Sequence, residues 1–81
     1  MNAKEAVARR IEQLCRQRRM TIHEVAMRAG MSASTVYSTL NRKSLNPGVI
    51  TIQMICEGLG VTVREFFDDP LFDNLELSED E

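Results

Sequence analysis

Long apolar runs are missing from this 81-residue chain. No stretch approaches the roughly 18 apolar residues of a membrane-spanning helix. The opening MNAKEAVARR has no apolar segment of the kind that a secretory signal needs. Those absences predict a cytoplasmic protein without a membrane partner. Cysteine and histidine are scarce as well. Cys15 and Cys56 stand far apart, form no CxxC, and are joined by one histidine, His23. Three such scattered groups cannot assemble the usual four-ligand zinc site. Each cysteine adjoins a core-type residue, Leu14 or Ile55, on the apolar face of a predicted helix, and is read as a buried thiol.

Signatures of catalysis are absent too. In GMSAS, Ser34 stands where a GxSxG nucleophile turn needs glycine. No GxxxxGK[ST] phosphate loop occurs. No carboxylate pair lies in a recognisable pocket-forming context. Neither an enzyme nor a cofactor is expected. Strand-like alternation bounded by hairpin turns is also missing, so the chain reads as all-α.

Net charge is small, −2, but its layout is not even. Residues 1–67 hold all ten lysines and arginines and only five acids, a net of +5. The last fourteen residues, DDPLFDNLELSEDE, hold seven acids and no base. A basic body with an acidic tail points to a polyanionic partner for the body. The expected organisation is one domain over residues 1–67 and an acidic C-terminal tail over residues 68–81.

Five short helices follow from the apolar periodicity. Val7, Ile11, Leu14 and Cys15 recur at spacings of three and four, giving a helix over about residues 3–18. Thr21 and Glu24 have the spacing of a capping box, in which each side chain accepts the other residue's free N–H. They start a helix with Val25, Ala26 and Ala29 on one stripe, closed by Gly30. Ser32 is the next N-cap candidate, and Val36 and Leu40 give that third helix its buried side. Asn46, Pro47 and Gly48 form a break. Thr51 is expected to open a fourth helix carrying Ile52, Ile55, Cys56 and Leu59. Thr62 and Glu65 repeat the capping spacing before a short fifth helix, which Pro70 ends.

Helices two and three are joined by about three residues with glycine at the bend. A tight joint forces a steep interhelical angle, the geometry of a helix-turn-helix. At about 100° per residue, Val36, Thr39 and Leu40 share one side of the third helix. Ala33, Ser34, Tyr37, Ser38 and Asn41 share another, free of lysine and glutamate. Small polar side chains allow close approach to a base edge or phosphate. The same face also suits a bland solvated helix or one covered by the acidic tail.

The stretch TIHEVAMRAGMSASTVYSTLNRKSLNPGVITIQMICEGLGVTVREFF resembles the Cro/phage-repressor class of helix-turn-helix, the XRE family. The EVA pair, the Gly30 turn, S-x-S-T-V-Y, LNRKSLNP, ICEGLGV and TVREFF occur in the family's order over roughly residues 7–67. That resemblance implies a compact five-helix DNA-binding bundle, usually homodimeric, acting on a double-stranded operator as a regulator and more often as a repressor. It places Ala33, Ser34, Tyr37 and Ser38 at base-facing positions. It places Thr35, Asn41 and Lys43 near the sugar-phosphate backbone, with Thr21 and Ile22 at a helix start that abuts a phosphate. Two departures stand out. Ile22 replaces a frequent glutamine, and Arg42 stands where the family favours glycine, as either a further phosphate contact or an ordinary exposed residue. The alternative is a protein-interaction module that keeps the fold and has lost DNA, with the acidic tail as a possible site for a protein partner.

Overall fold

The structure, a computed structural model, describes residues 1–41 and 46–77. Its elements in chain order are α1 (Ala3–Gln17), α2 (Ile22–Ala29), α3 (Ala33–Leu40), α4 (Val49–Leu59), α5 (Val63–Phe67) and a 3-10 turn (Pro70–Phe72). No strand occurs among the described residues, only an isolated bridge between Asn2 and Glu76.

Three of the five helices begin with the same device. Asn2 and Glu5, Thr21 and Glu24, and Thr62 and Glu65 each close a full capping box. Ser32 caps α3 through its side chain, accepting from the Thr35 N–H at 3.2 Å. The expected start of α4 at Thr51 is corrected. Gly48 is the N-cap, without a side-chain cap bond, and Val49 and Ile50 already lie in the helix. A glycine can occupy the extended N-cap position, and no residue in 48–50 offers an alternative side-chain acceptor.

Gly30 (φ +70°) and Gly60 (φ +78°) end α2 and α4 in the left-handed conformation. Arg19 does the same for α1 at φ +52°, as the only non-glycine with positive φ among the described residues. The Met20 N–H then donates to the Cys15 carbonyl at 2.9 Å, the long bond of a Schellman end. A side chain at such a position costs about 1 kcal/mol that glycine avoids. Glycine's larger unfolded-state freedom gives part of that back. Arg19→Gly is therefore expected to stabilise by about 0.5 kcal/mol and raise Tm by about 3 °C in a thermal melt. A fall in Tm would show that the Arg19 side chain contributes more than its backbone costs.

The core is one cluster: Val7, Ile11, Leu14 and Cys15 from α1, Val25 and Ala26 from α2, Val36 from α3, Ile52, Ile55, Cys56 and Leu59 from α4, and Phe66 from α5. Both cysteines are free and buried, and burial pushes the Cys56 thiol up to about 11. α2 packs most closely on α4. Gly58 makes that approach possible, since a Cβ built there would lie 2.4 Å from the Val25 carbonyl oxygen.

Arg10 is buried, at 7% exposure. Its Nε donates to the Phe66 carbonyl at 2.7 Å and its guanidinium donates to the Glu65 carbonyl at 2.8 Å. The same group bonds Gln13 and forms an ion pair with Asp69 at 3.1 Å. Arg10 thus caps the C-terminal end of α5, where unpaired carbonyls carry partial negative charge. Residues 69–76 continue the packing. Asp69 accepts from the Leu71 N–H, Phe72 packs on Phe66 and Phe67, and the Glu76 N–H donates to the Met1 carbonyl at 3.1 Å. Leu77 is fully exposed.

Candidate nucleic-acid interface

α3 is anchored from one side and open on the other. Val36 and Thr39 are buried, and Leu40 packs against the core. The Thr39 hydroxyl donates back to the Thr35 carbonyl at 3.2 Å, so even this buried polar group is satisfied within the helix. Ser34, Thr35, Tyr37, Ser38 and Asn41 are exposed.

Ala33 lies at the edge of the expected face. It is half-buried and packs against the core, because it lies three residues before Val36 on the edge of the same stripe. The solvent-facing set is thus Ser34, Tyr37 and Ser38, flanked by Thr35 and Asn41. The Ser32 hydroxyl lies 2.8 Å from that of Thr35 and 3.1 Å from that of Ser34. These three hydroxyls form a small cluster around the start of α3, presenting donors and acceptors that need little rearrangement.

The start of α2 is closed by the capping box that Thr21 and Glu24 lead one to expect. The Thr21 N–H donates to the Glu24 carboxylate at 3.0 Å, and the Glu24 N–H donates to the Thr21 hydroxyl at 3.1 Å. The Thr21 N–H, the Thr21 side chain and nearby Arg28 hold the Glu24 carboxyl below its usual range. The amides of Ile22 and His23, in the first turn, have no acceptor within the helix. Ile22 itself is half-buried against the core. Its side chain therefore belongs to the packing, which leaves only its backbone N–H at the helix start. Arg42 and Lys43, the expected contacts in the loop after α3, lie outside the described residues.

A residue that the sequence pattern did not connect to this face is His23. Its ring meets that of Tyr37 edge-on, with centroids 6.4 Å apart and planes at 73°. No periodicity within one helix encodes this pair, since it depends on the angle between α2 and α3. Gly30 sets that angle through its left-handed bend, with the Met31 N–H donating to the Ala26 carbonyl at 2.9 Å.

No group of three potential metal ligands exists among the described residues, and none of their helices is long and apolar enough to cross a membrane. A helix pair joined by this tight glycine bend is the arrangement of a helix-turn-helix. The family model of the Cro/C1-type helix-turn-helix DNA-binding domain matches residues 10–70, and the chain belongs to that family. The protein is accordingly a DNA-binding regulator of this class.

Among solved structures, prophage Lp1 protein 11 is similar at 34% identity and a TM-score of 0.79, over 93% of this chain and all of that one. The wild-type restriction-modification controller protein C.Esp1396I is similar in fold, with a TM-score of 0.71 and 22% identity over 79% of this chain and 83% of that one. No curated protein matches the chain in sequence at a significant level.

Proposed function

We propose that this chain is a sequence-specific transcriptional regulator, a repressor, that binds double-stranded operator DNA as a homodimer with α3 in the major groove. The observation that supports this most is the outward face of α3. It is rigidly seated by Val36, Thr39 and Leu40, yet offers short polar groups and one aromatic ring with no lysine or glutamate. Ser34, Tyr37 and Ser38, with the half-buried Ala33 at the edge of the face, read base edges. Thr35 and Asn41, with Arg42 and Lys43 next in sequence and the amides of Ile22 and His23, meet phosphates. Residues 1–67 supply the DNA-binding body, and the acids of residues 68–81 limit non-specific attachment to DNA.

The face has no arginine for guanine and no glutamine for adenine. Specificity therefore draws on a few hydroxyl and Tyr37 contacts, on DNA shape and on the spacing of two half-sites. Dimerisation has apolar surface available. Val49 and Ile50 on α4 are 74% and 67% exposed, and Phe67 on α5 is 40% exposed. A dimer seated across an operator represses by occupying sequence that a polymerase needs.

Selecting bound duplexes from a random pool identifies the operator. Ser34→Ala and Tyr37→Ala should then each weaken operator binding about 5- to 20-fold while leaving scrambled DNA within about twofold. Wild-type affinity should fall steeply with salt as phosphate contacts release counterions. Equal losses on both DNAs would remove the base-reading role from α3. The second reading, an interaction module without DNA, is favoured by the same lack of strong base readers. Absence of salt-dependent binding to any duplex would select it.

A further inference from the structure

We infer that His23 is a positioning residue for Tyr37 and, through it, a determinant of which DNA sequence α3 accepts. The inference rests on the DNA-binding reading above and deepens it.

Tyr37 is half exposed, and its neighbours Val36 and Thr39 turn inward, so the core does not hold its ring. A tyrosine alone on a helix surface samples several rotamers, and fixing one of them on DNA costs ordering entropy. The edge-on contact with His23 restricts that sampling before DNA arrives. The other ring contacts among the described residues join only Phe66, Phe67 and Phe72, away from α3 in sequence. The contact from α2 is thus the ring–ring restraint on the α3 face. His23 also sits beside the open amides of the α2 first turn, so the position of the Tyr37 ring is tied to the helix end that meets the backbone phosphate. Seating α2 on the phosphate therefore places the phenol at a fixed offset along the groove.

The chain contains one tyrosine and no tryptophan, so intrinsic emission reports Tyr37 alone. In the free protein, His23→Ala is expected to raise the amplitude of fast local ring motion about twofold in a fluorescence anisotropy decay, and His23→Phe to restore it. On DNA, the affinity ratio of selected to scrambled duplex should fall about 3- to 10-fold in His23→Ala and recover in His23→Phe. Adding His23→Ala to Tyr37→Ala should change the ratio no further. Both positions are exposed, so melts of the variants should stay close to wild type.

An unchanged anisotropy decay in His23→Ala overturns the contact itself. A lower anisotropy with an unchanged ratio, or additive effects in the double variant, overturns its role in specificity. Equal weakening on both duplexes with a shallower salt dependence makes His23 a phosphate contact and overturns positioning. If wild-type protein selects no duplex, the DNA-binding reading fails and the specificity role falls with it, while the anisotropy still decides the ring contact.

Discussion

Arg10→Met is expected to destabilise the fold by about 3 kcal/mol, a loss of about 15 °C in Tm. Methionine matches much of the arginine's apolar length, so the loss is not one of volume. What disappears is a planar fork serving the carbonyls of Glu65 and Phe66, the Gln13 side chain and the Asp69 carboxylate. The Asp69 side chain is only 16% exposed, so its charge is left poorly solvated and unpaired. The α5 carbonyls lose their donors at the same moment.

Arg10→Lys should recover little, because an ammonium cannot reach acceptors laid out for a guanidinium. Arg10→Met with Asp69→Asn should recover about 1 kcal/mol, since the stranded charge is gone while the amide still caps Leu71. The total stability of a chain of this size is about 4–12 kcal/mol, so the single variant removes a large fraction. Urea unfolding followed by circular dichroism measures it. A cost below about 1 kcal/mol would mean that solvent replaces the fork without penalty.

Gly58→Ala should also destabilise, against the helix-propensity trend. Exchanging glycine for alanine inside an exposed helix gains about 1 kcal/mol. Here the new methyl would lie 2.4 Å from the Val25 carbonyl oxygen, 3.1 Å from Val25 Cγ1 and 3.2 Å from Ala29 Cβ. The nearest of these atoms is backbone, so relief requires α2 and α4 to part. Overpacking of that kind costs about 1–3 kcal/mol, occasionally more, and outweighs the propensity gain. The expected net loss is about 1 kcal/mol. Because α2 carries α3 through the Gly30 bend, operator affinity should fall by more than the unfolded fraction explains. Thermal melts together with binding at a temperature where the variant is fully folded separate the two effects. An unchanged or raised Tm would show that the helices have slack.

Local chemistry was legible in the sequence where one segment contains all of it. Thr21 with Glu24, Ser32, and Thr62 with Glu65 announce their helices, and Gly30 announces the bend. The same N-x-x-E spacing at Asn2 and Glu5 was there to be read. Arg10 and Gly58 carried weaker signals of one kind. Arg10 lies on the stripe of Val7 and Leu14, and Gly58 is three residues after Ile55, so each places an unexpected residue type at a core position. A charged residue there implies a buried acceptor, and a glycine implies a neighbouring backbone. Neither pattern says which element supplies the partner, because α5 and Val25 are distant in sequence. The His23 and Tyr37 pairing had no sequence signal, being set by an interhelical angle. The apolar Phe72 within the acidic tail allowed packing on the body, on a second subunit or none, and the sequence alone did not choose among them; it packs on Phe66 and Phe67.

The capping box at the start of α2 has a thermodynamic consequence for whatever polyanion reaches it. The Glu24 carboxylate is a resident anion at that helix end, held by the Thr21 N–H. A phosphate arriving at the Ile22 and His23 amides does not meet an empty positive dipole. It must share the field with a charge already placed there, or exchange with it. The net attraction of this end is the difference between two anions, smaller than that of an unoccupied helix start. Glu24 in this way trades grip on any phosphate for a helix that is fully formed before one arrives.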